Sequence, residues 1–421
     1  MNVLLTNILL NGEHKDILIT GNRFTRIAAS GYIHDQYSVD KEIDGTGKAI
    51  LPSLMNGHTH AAMTLLRGYA DDLPLGQWLQ EHIWPIEAKM TEEDIYWGTK
   101  LACLEMIRTG TTFFADMYWH LPGTVRAVQE MGIRAGLAAA FFDFGDKDKA
   151  EQAKMQIRDF HKAYASLSDR ILFTLGPHAI YTVSRDSLAW VADYAERKDL
   201  RIHLHLSETR EEVENCRAEH GMRPVEYLHS LGMLSPRLMA CHCVWLDDHE
   251  RELLAEHHVH IVHNPASNSK LVSGRFDYQA LAARGINVGL GTDGCASNNN
   301  LDMFEEMKLA ALLAKSVADD PTVLPAQDAF ALATSNMAAM YGLECGVIQE
   351  GMLADCMLVD LDHPQLVPNH NLISNIVYSA NGDCVDTVIC NGQILMEGRN
   401  IPGQEDILAG FRASVERLKR G

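Results

Sequence analysis

From about residue 50 to residue 345, short apolar segments alternate with longer helical ones, and this alternation constrains the chain more than any other feature. The strand-like runs are 48–55, Thr111–Met117, Ile133–Phe142, Ile171–Leu175, Arg201–Leu206, Leu238–Val244, His258–His263 and Asn287–Leu290, eight in all. Helical stretches separate them. The helix at 92–108 carries its own punctuation: Thr91 with Asp94 three residues on, a variant capping box, and Gly110 as a stop. Eight β/α units in roughly 250 residues predict a (β/α)8 barrel of the TIM type, an α/β fold with its chemistry at the C-terminal ends of the strands.

The two ends of the chain have a different texture. Val3–Leu10 stops at Asn11-Gly12, and Asp16–Thr20 and Phe24–Ala28 flank Gly21-Asn22, a tight-hairpin signal. Strand character returns after residue 345 with Cys356–Leu361, then Val385–Cys390 and Gln393–Met396 joined by Asn391-Gly392. Neither end is large enough to bury a core alone. Residues 1–49 plus 346–402 are therefore expected to form one composite β-sandwich beside a barrel at 50–345, with a closing helix in 403–421.

Lys+Arg number 36 against 56 Asp+Glu, a formal net charge of -20. Such a surface repels phosphate backbones and anionic lipid, so neither nucleic acid nor membrane is an expected partner. The N-terminus has no basic region ahead of an apolar run, and no apolar run approaches the ~18 residues that a spanning helix needs. A soluble cytoplasmic protein is expected, and a homo-oligomer is compatible with the sequence. The nine cysteines include no C-x-x-C pair. Cys241 and Cys243, flanking His242 on a strand, are expected to face alike and to pack as small hydrophobes.

The chemistry begins at Asn56-Gly57-His58-Thr59-His60. Residues two apart on a strand share a face, so His58 and His60 can aim two imidazoles at one point. Alone, such a pair is more often two polar residues on a half-exposed strand. The chain also supplies His203 and His205 on the fifth strand, His242 on the sixth, and Asp293 in Gly291-Thr292-Asp293-Gly294 after the eighth. Of the fifth-strand pair only one need be a ligand. His205, nearest the strand end, is preferred, and His203 is expected to support it. Asp293 between glycines would by itself read as a turn residue. The joint placement of His58, His60, His205 and Asp293 at strand ends instead points to one divalent metal. Zinc suits these donors best, and iron or manganese are also served by them. The fourth strand, Ile171–Gly176, has no lysine to bridge a second ion, so one metal per chain is expected.

These residues, with His203-Leu204-His205-Leu206-Ser207-Glu208-Thr209, Cys241-His242-Cys243-Val244, His263-Asn264-Pro265-Ala266-Ser267-Asn268 and Gly351-Met352-Leu353-Ala354-Asp355, resemble the amidohydrolase superfamily. They are most similar to its 5'-methylthioadenosine/S-adenosylhomocysteine deaminases. The resemblance implies hydrolytic deamination of an adenine nucleoside such as 5'-methylthioadenosine or adenosine, giving the inosine form and ammonia. It implies His58, His60, His205 and Asp293 as metal ligands, and Asp293 also as a proton acceptor. Glu208 would protonate the purine ring nitrogen, and His242 would sit beside the attacking oxygen. Glu87 would contact the ribose hydroxyls, and His178 would make a further substrate contact.

The stretch 136–147 lacks the arginines that would meet the carboxylate of S-adenosylhomocysteine. Phe141, Phe142 and Phe144 favour an apolar group there, unless they are strand core. Two other readings remain: a triazine or pyrimidine ring hydrolase using the same site, and a non-catalytic scaffold. A cytidine-type base deaminase is not supported, for its His-x-Glu and Pro-Cys-x-x-Cys signature is absent.

Overall fold

The computed structural model describes residues 1–33, 37–164 and 167–420. Strands β1 (Asn2–Leu10), β2 (Glu13–Thr20), β3 (Arg23–Ala29), β4 (Lys41–Asp44) and β5 (Lys48–Pro52) open the chain. β6 (Leu54–Thr59), β7 (Thr111–Tyr118), β8 (Arg134–Phe141), β9 (Ile171–Pro177), β10 (Ile202–Leu206), β11 (Leu238–His242), β12 (His260–His263) and β13 (Val288–Leu290) follow, separated by helices. These eight strands form one parallel sheet in sequence order. Its ends meet at a seam, where the His58 carbonyl accepts the N–H groups of Thr292 (3.1 Å) and Asp293 (2.9 Å). The expected barrel is thus present.

The run 48–55 is not one strand. β5 belongs to the terminal sheet and β6 to the barrel, with Ser53 between them. An unbroken apolar run hides such a change of sheet, because both halves are buried on both faces. Gly57 in β6 meets the helix Ser335–Tyr341 at close range: a Cβ there would lie 2.8 Å from the Met337 Sδ. That helix fills the barrel interior near the strand starts, with Met55, Phe113, Met239 and Val262.

β14 (Cys356–Asp360), β15 (Val385–Cys390) and β16 (Gln393–Met396) join β1–β5 in a second, mixed sheet, ordered β16-β15-β14-β5-β1-β2-β3 with β4 on β1. Both termini thus contribute, as expected. The strands are hydrogen-bonded into one continuous sheet that encloses its own core of Val3, Leu5, Ile17, Phe24, Ile50 and Leu358. The Asn391-Gly392 turn has φ of 51° and 72°, the doubly left-handed geometry of a two-residue hairpin. The capping box at Thr91 and Asp94 is formed, and the closing helix is Gln404–Arg420.

A buried ion pair ties the two units together. Arg134 at the start of β8 donates through Nε to Asp355 (3.0 Å), and both side chains are almost fully buried. Asn391 accepts from Arg134 (3.0 Å) and donates its backbone N–H to Asp355, so neither charge is left uncompensated. Leaving one such buried charge alone costs about 3–5 kcal/mol. No helix among the described residues is long and apolar enough to cross a membrane.

Candidate metal centre and cleft

Four side chains converge at the mouth of the barrel. His58 Nε2 lies 3.2 Å from His205 Nε2 and 3.4 Å from Asp293 Oδ1, and His60 Nε2 lies 3.3 Å from the same oxygen. The opposite ring nitrogens are held. His60 Nδ1–H donates to the Met117 carbonyl (2.7 Å), and His205 Nδ1–H donates to the His178 carbonyl (2.8 Å). A carbonyl can only accept, so both imidazoles present their Nε2 lone pairs inward. His58 Nδ1 meets His203 Nε2 at 2.7 Å, which puts His203 behind His58 and outside the converging set.

Burial pushes His58 down to about 4 and His205 well below the ordinary histidine range, which keeps both neutral. Burial opposes charge on Asp293, but its bond to His58 and the surrounding imidazoles hold the carboxyl well below its usual value. Ser267 Oγ (2.7 Å) and Ser297 Oγ (3.1 Å) both donate to Asp293 Oδ2. Neutral imidazoles and an ionised, oriented carboxylate are the donor set that a divalent cation takes. The residues present therefore fit a metal.

Backbone geometry sets these groups. Ser207 (φ 51°), His242 (φ 73°), Cys243 (φ 48°) and Asp293 (φ 60°) are left-handed non-glycine residues at the ends of β10, β11 and β13. Strain of this kind, of order 1–3 kcal/mol each, concentrates at functional sites. Along β11, Met239 and Cys241 face the barrel interior while Leu238 and Ala240 face the helices. Strict alternation would send His242 outward with the latter pair. Its left-handed turn brings it into the cleft instead. The same break separates Cys241 from Cys243, which pack in different clusters and do not face alike. All nine cysteines are free and buried.

The cleft above the converging donors encloses about 670 Å³, open to solvent, and His178, Glu87, Glu208 and His242 all line it. Glu208 Oε2 is 3.8 Å from His242 Nε2, and Glu208 Oε1 accepts from Ser273 Oγ (3.1 Å). Burial raises the Glu208 carboxyl above its ordinary range. His242 Nδ1–H donates to Asn268 Oδ1 (2.8 Å), which turns Nε2 toward the cleft. Burial alone would lower His242, yet the nearby carboxylates of Glu208 and Asp293 raise it. Glu87 Oε1 accepts the Tyr118 hydroxyl (2.6 Å), and loss of solvent raises its carboxyl. His178 stacks on Phe142 (4.5 Å between centroids), and burial pushes it down to about 3.

The three phenylalanines divide. Phe141 is core, Phe142 stacks on Trp119 (4.7 Å) in the cleft wall, and Phe144 is 60% exposed at the rim.

A profile of the amidohydrolase family matches residues 49–395. The chain belongs to the amidohydrolase family. This amidohydrolase is 51% identical over 378 residues to a 5'-deoxyadenosine deaminase of Methanospirillum hungatei, covering 89% of this chain and 84% of that protein. It is 48% identical over 383 residues to a 5-methylthioadenosine/S-adenosylhomocysteine deaminase of Archaeoglobus fulgidus, covering 90% of each. Among solved structures, an adenosine deaminase from Xanthomonas campestris with bound zinc superposes at a TM-score of 0.94 with 33% identity. The match covers 100% of this chain and 98% of that one.

Tyr118, Ser267, Asn268, Ser273 and Ser297 support the site residues with no signal of that role in the sequence. Ser267 and Asn268 close the segment His263-Asn264-Pro265-Ala266-Ser267-Asn268, but nothing in the spacing says that they reach Asp293 and His242.

Proposed function

We propose that this amidohydrolase is a metal-dependent hydrolytic deaminase of adenine nucleosides, with one zinc ion per chain held by His58, His60, His205 and Asp293. The observation that carries the reading is a buried carboxyl, Glu208, which burial raises above its ordinary range, set 3.8 Å from His242 at the edge of the converging donors. Relatives named for 5'-deoxyadenosine and 5-methylthioadenosine support the substrate class. A bound divalent ion lowers the pKa of its water toward ~7. Asp293 would accept the proton of the attacking water through Oδ1, the oxygen that faces His58 and His60. Glu208 gives a proton to the ring nitrogen beside the attacked carbon, so that nitrogen need not carry negative charge. His242 Nε2 holds the incoming oxygen as charge develops on it. The amino group takes up the proton that Asp293 accepted and leaves as ammonia, the hydroxyl proton returns to Glu208, and the inosine form remains.

Glu87, steadied by Tyr118, faces the ribose hydroxyls, and His178 borders the purine. The Trp119–Phe142 stack and Phe144 form an apolar wall suited to a 5'-deoxy or 5'-methylthio group. The deciding experiment measures ammonia release from 5'-deoxyadenosine, 5'-methylthioadenosine, adenosine, S-adenosylhomocysteine, adenine and a chlorotriazine. The nucleosides with apolar 5' groups should turn over fastest. Turnover of the triazine alone, or of nothing by metal-replete protein, would sink the proposal.

Glu87→Ala should lower kcat/KM for nucleosides roughly 10- to 100-fold, the effect of losing a charge-assisted bond of about 1.5–3 kcal/mol. Adenine itself should be little affected. Equal losses for base and nucleoside would remove Glu87 from the ribose.

A further inference from the structure

The helix Arg210–His220 begins with Thr209-Arg210-Glu211-Glu212, the spacing of a capping box. In a capping box the acid at the third helical position returns to the backbone N–H of the cap residue. Three other helices in this chain do so: Asp94 binds the Thr91 N–H (2.7 Å), Glu226 the Arg223 N–H (2.8 Å) and Glu250 the Asp247 N–H (3.1 Å). Half of the box forms at Thr209, whose hydroxyl accepts the Glu212 N–H (3.1 Å). The Glu212 carboxylate goes elsewhere. Its Oε1 accepts the N–H of Ser207 and its Oε2 that of Glu208, both at 2.8 Å. Those amides belong to the left-handed turn that carries Glu208 out of β10.

The same turn is bound from the other side. The Ser207 carbonyl accepts the N–H groups of Val244 (3.0 Å) and Trp245 (2.9 Å), and the Leu206 carbonyl accepts that of Cys243 (2.9 Å). The turns bearing Glu208 and His242 are thus one hydrogen-bonded assembly, and Glu212 is its buried anchor.

We propose that Glu212 is a positioning residue for the deamination, its carboxylate clamping the strained Ser207–Glu208 turn so that the Glu208 carboxyl is aimed into the cleft. This rests on the reading of Glu208 as the proton donor. A helix cap needs only the Thr209 N–H. Diverting both oxygens to the site turn serves the geometry of Glu208, because Ser207 at φ 51° would relax toward negative φ without them. Burial raises the Glu212 carboxyl to about 7, so the clamp is held against a desolvation cost.

The test compares wild-type and Glu212→Gln enzyme, both metal-replete, on the best nucleoside of the panel. The amide of Gln offers one acceptor where the clamp uses two. The kcat should fall on the order of 10²-fold, the loss typical of a roughly 1 Å misplacement of a reacting group, with KM and metal content near wild type. Adding Ser207→Gly should restore part of kcat, since glycine adopts the left-handed turn without a clamp. Should the Gln variant not fold, Glu212→Asp is assayed by the same criteria. It keeps the charge but is too short to span both amides. An unchanged kcat, a matching fall in kcat, 1/KM and metal content together, or no rescue by Ser207→Gly would each overturn the proposal. Wild-type protein that releases no ammonia from any nucleoside would instead defeat the functional reading on which it stands.

Discussion

Glu208→Gln is expected to yield a folded, metal-loaded protein whose turnover of nucleosides is lower by roughly 10²- to 10⁴-fold, the span that general acid catalysis supplies. The substitution is close to isosteric. The introduced amide oxygen could still accept the Ser273 hydroxyl that Glu208 Oε1 accepts at 3.1 Å. The side chain would keep its place near His242 as well, so packing and ligand geometry have little reason to change. What it lacks is a transferable proton. The wild-type carboxyl is raised by burial, so its protonated form persists to higher pH than that of a surface glutamate. The acid function is present below that raised value and is lost as pH climbs through it. The wild-type kcat/KM should therefore decline on the alkaline side. The measurement is kcat on enzyme whose metal content matches wild type. A rate within about threefold of wild type, against the 10²-fold minimum for a lost general acid, would remove Glu208 from the chemistry.

His205→Ala should abolish tight metal binding, whereas His203→Ala should only weaken it. The contrast follows from where the two rings sit. His205 turns Nε2 inward, 3.2 Å from His58 Nε2, because the His178 carbonyl holds its other nitrogen. Its loss would leave three donors around the ion. His203 reaches the centre only through His58 Nδ1, at 2.7 Å. Residues that orient a ligand typically cost 10- to 100-fold in metal affinity when removed, which still permits loading at adequate metal concentration. Elemental analysis of both purified variants, before and after dialysis against a chelator, separates the outcomes. If the two lose metal equally, the choice of His205 over His203 is wrong.

The barrel was legible because each of its strands is a short apolar run between helices, and a period of that kind survives without knowledge of contacts. The site histidines were legible for a related reason: strand ends are where such a barrel keeps its chemistry. His58 and His60 needed only the two-residue repeat. What stayed hidden depends on departures from regularity. β5 and β6 were merged because both are apolar and only Ser53 separates them. Cys241 and Cys243 were expected on one face, and the left-handed turn at His242 and Cys243 undid the alternation. The partners of the site residues come from distant loops. Asn268 lies 26 residues from His242, and Tyr118 lies 31 from Glu87, so no local pattern announces them.

The barrel's seam runs through the candidate metal centre. The His58 carbonyl receives the amides of Thr292 and Asp293, and a Cβ at Gly291 would lie 2.7 Å from the His58 nitrogen, so the first and last staves touch there. During synthesis the imidazoles of the early strands emerge long before the acidic residue that completes their set. With the proposed ligand set, loading would be complete only once the cylinder shuts, and a chain that stalls short of residue 293 would leave its histidines without the anion that balances the cation's charge.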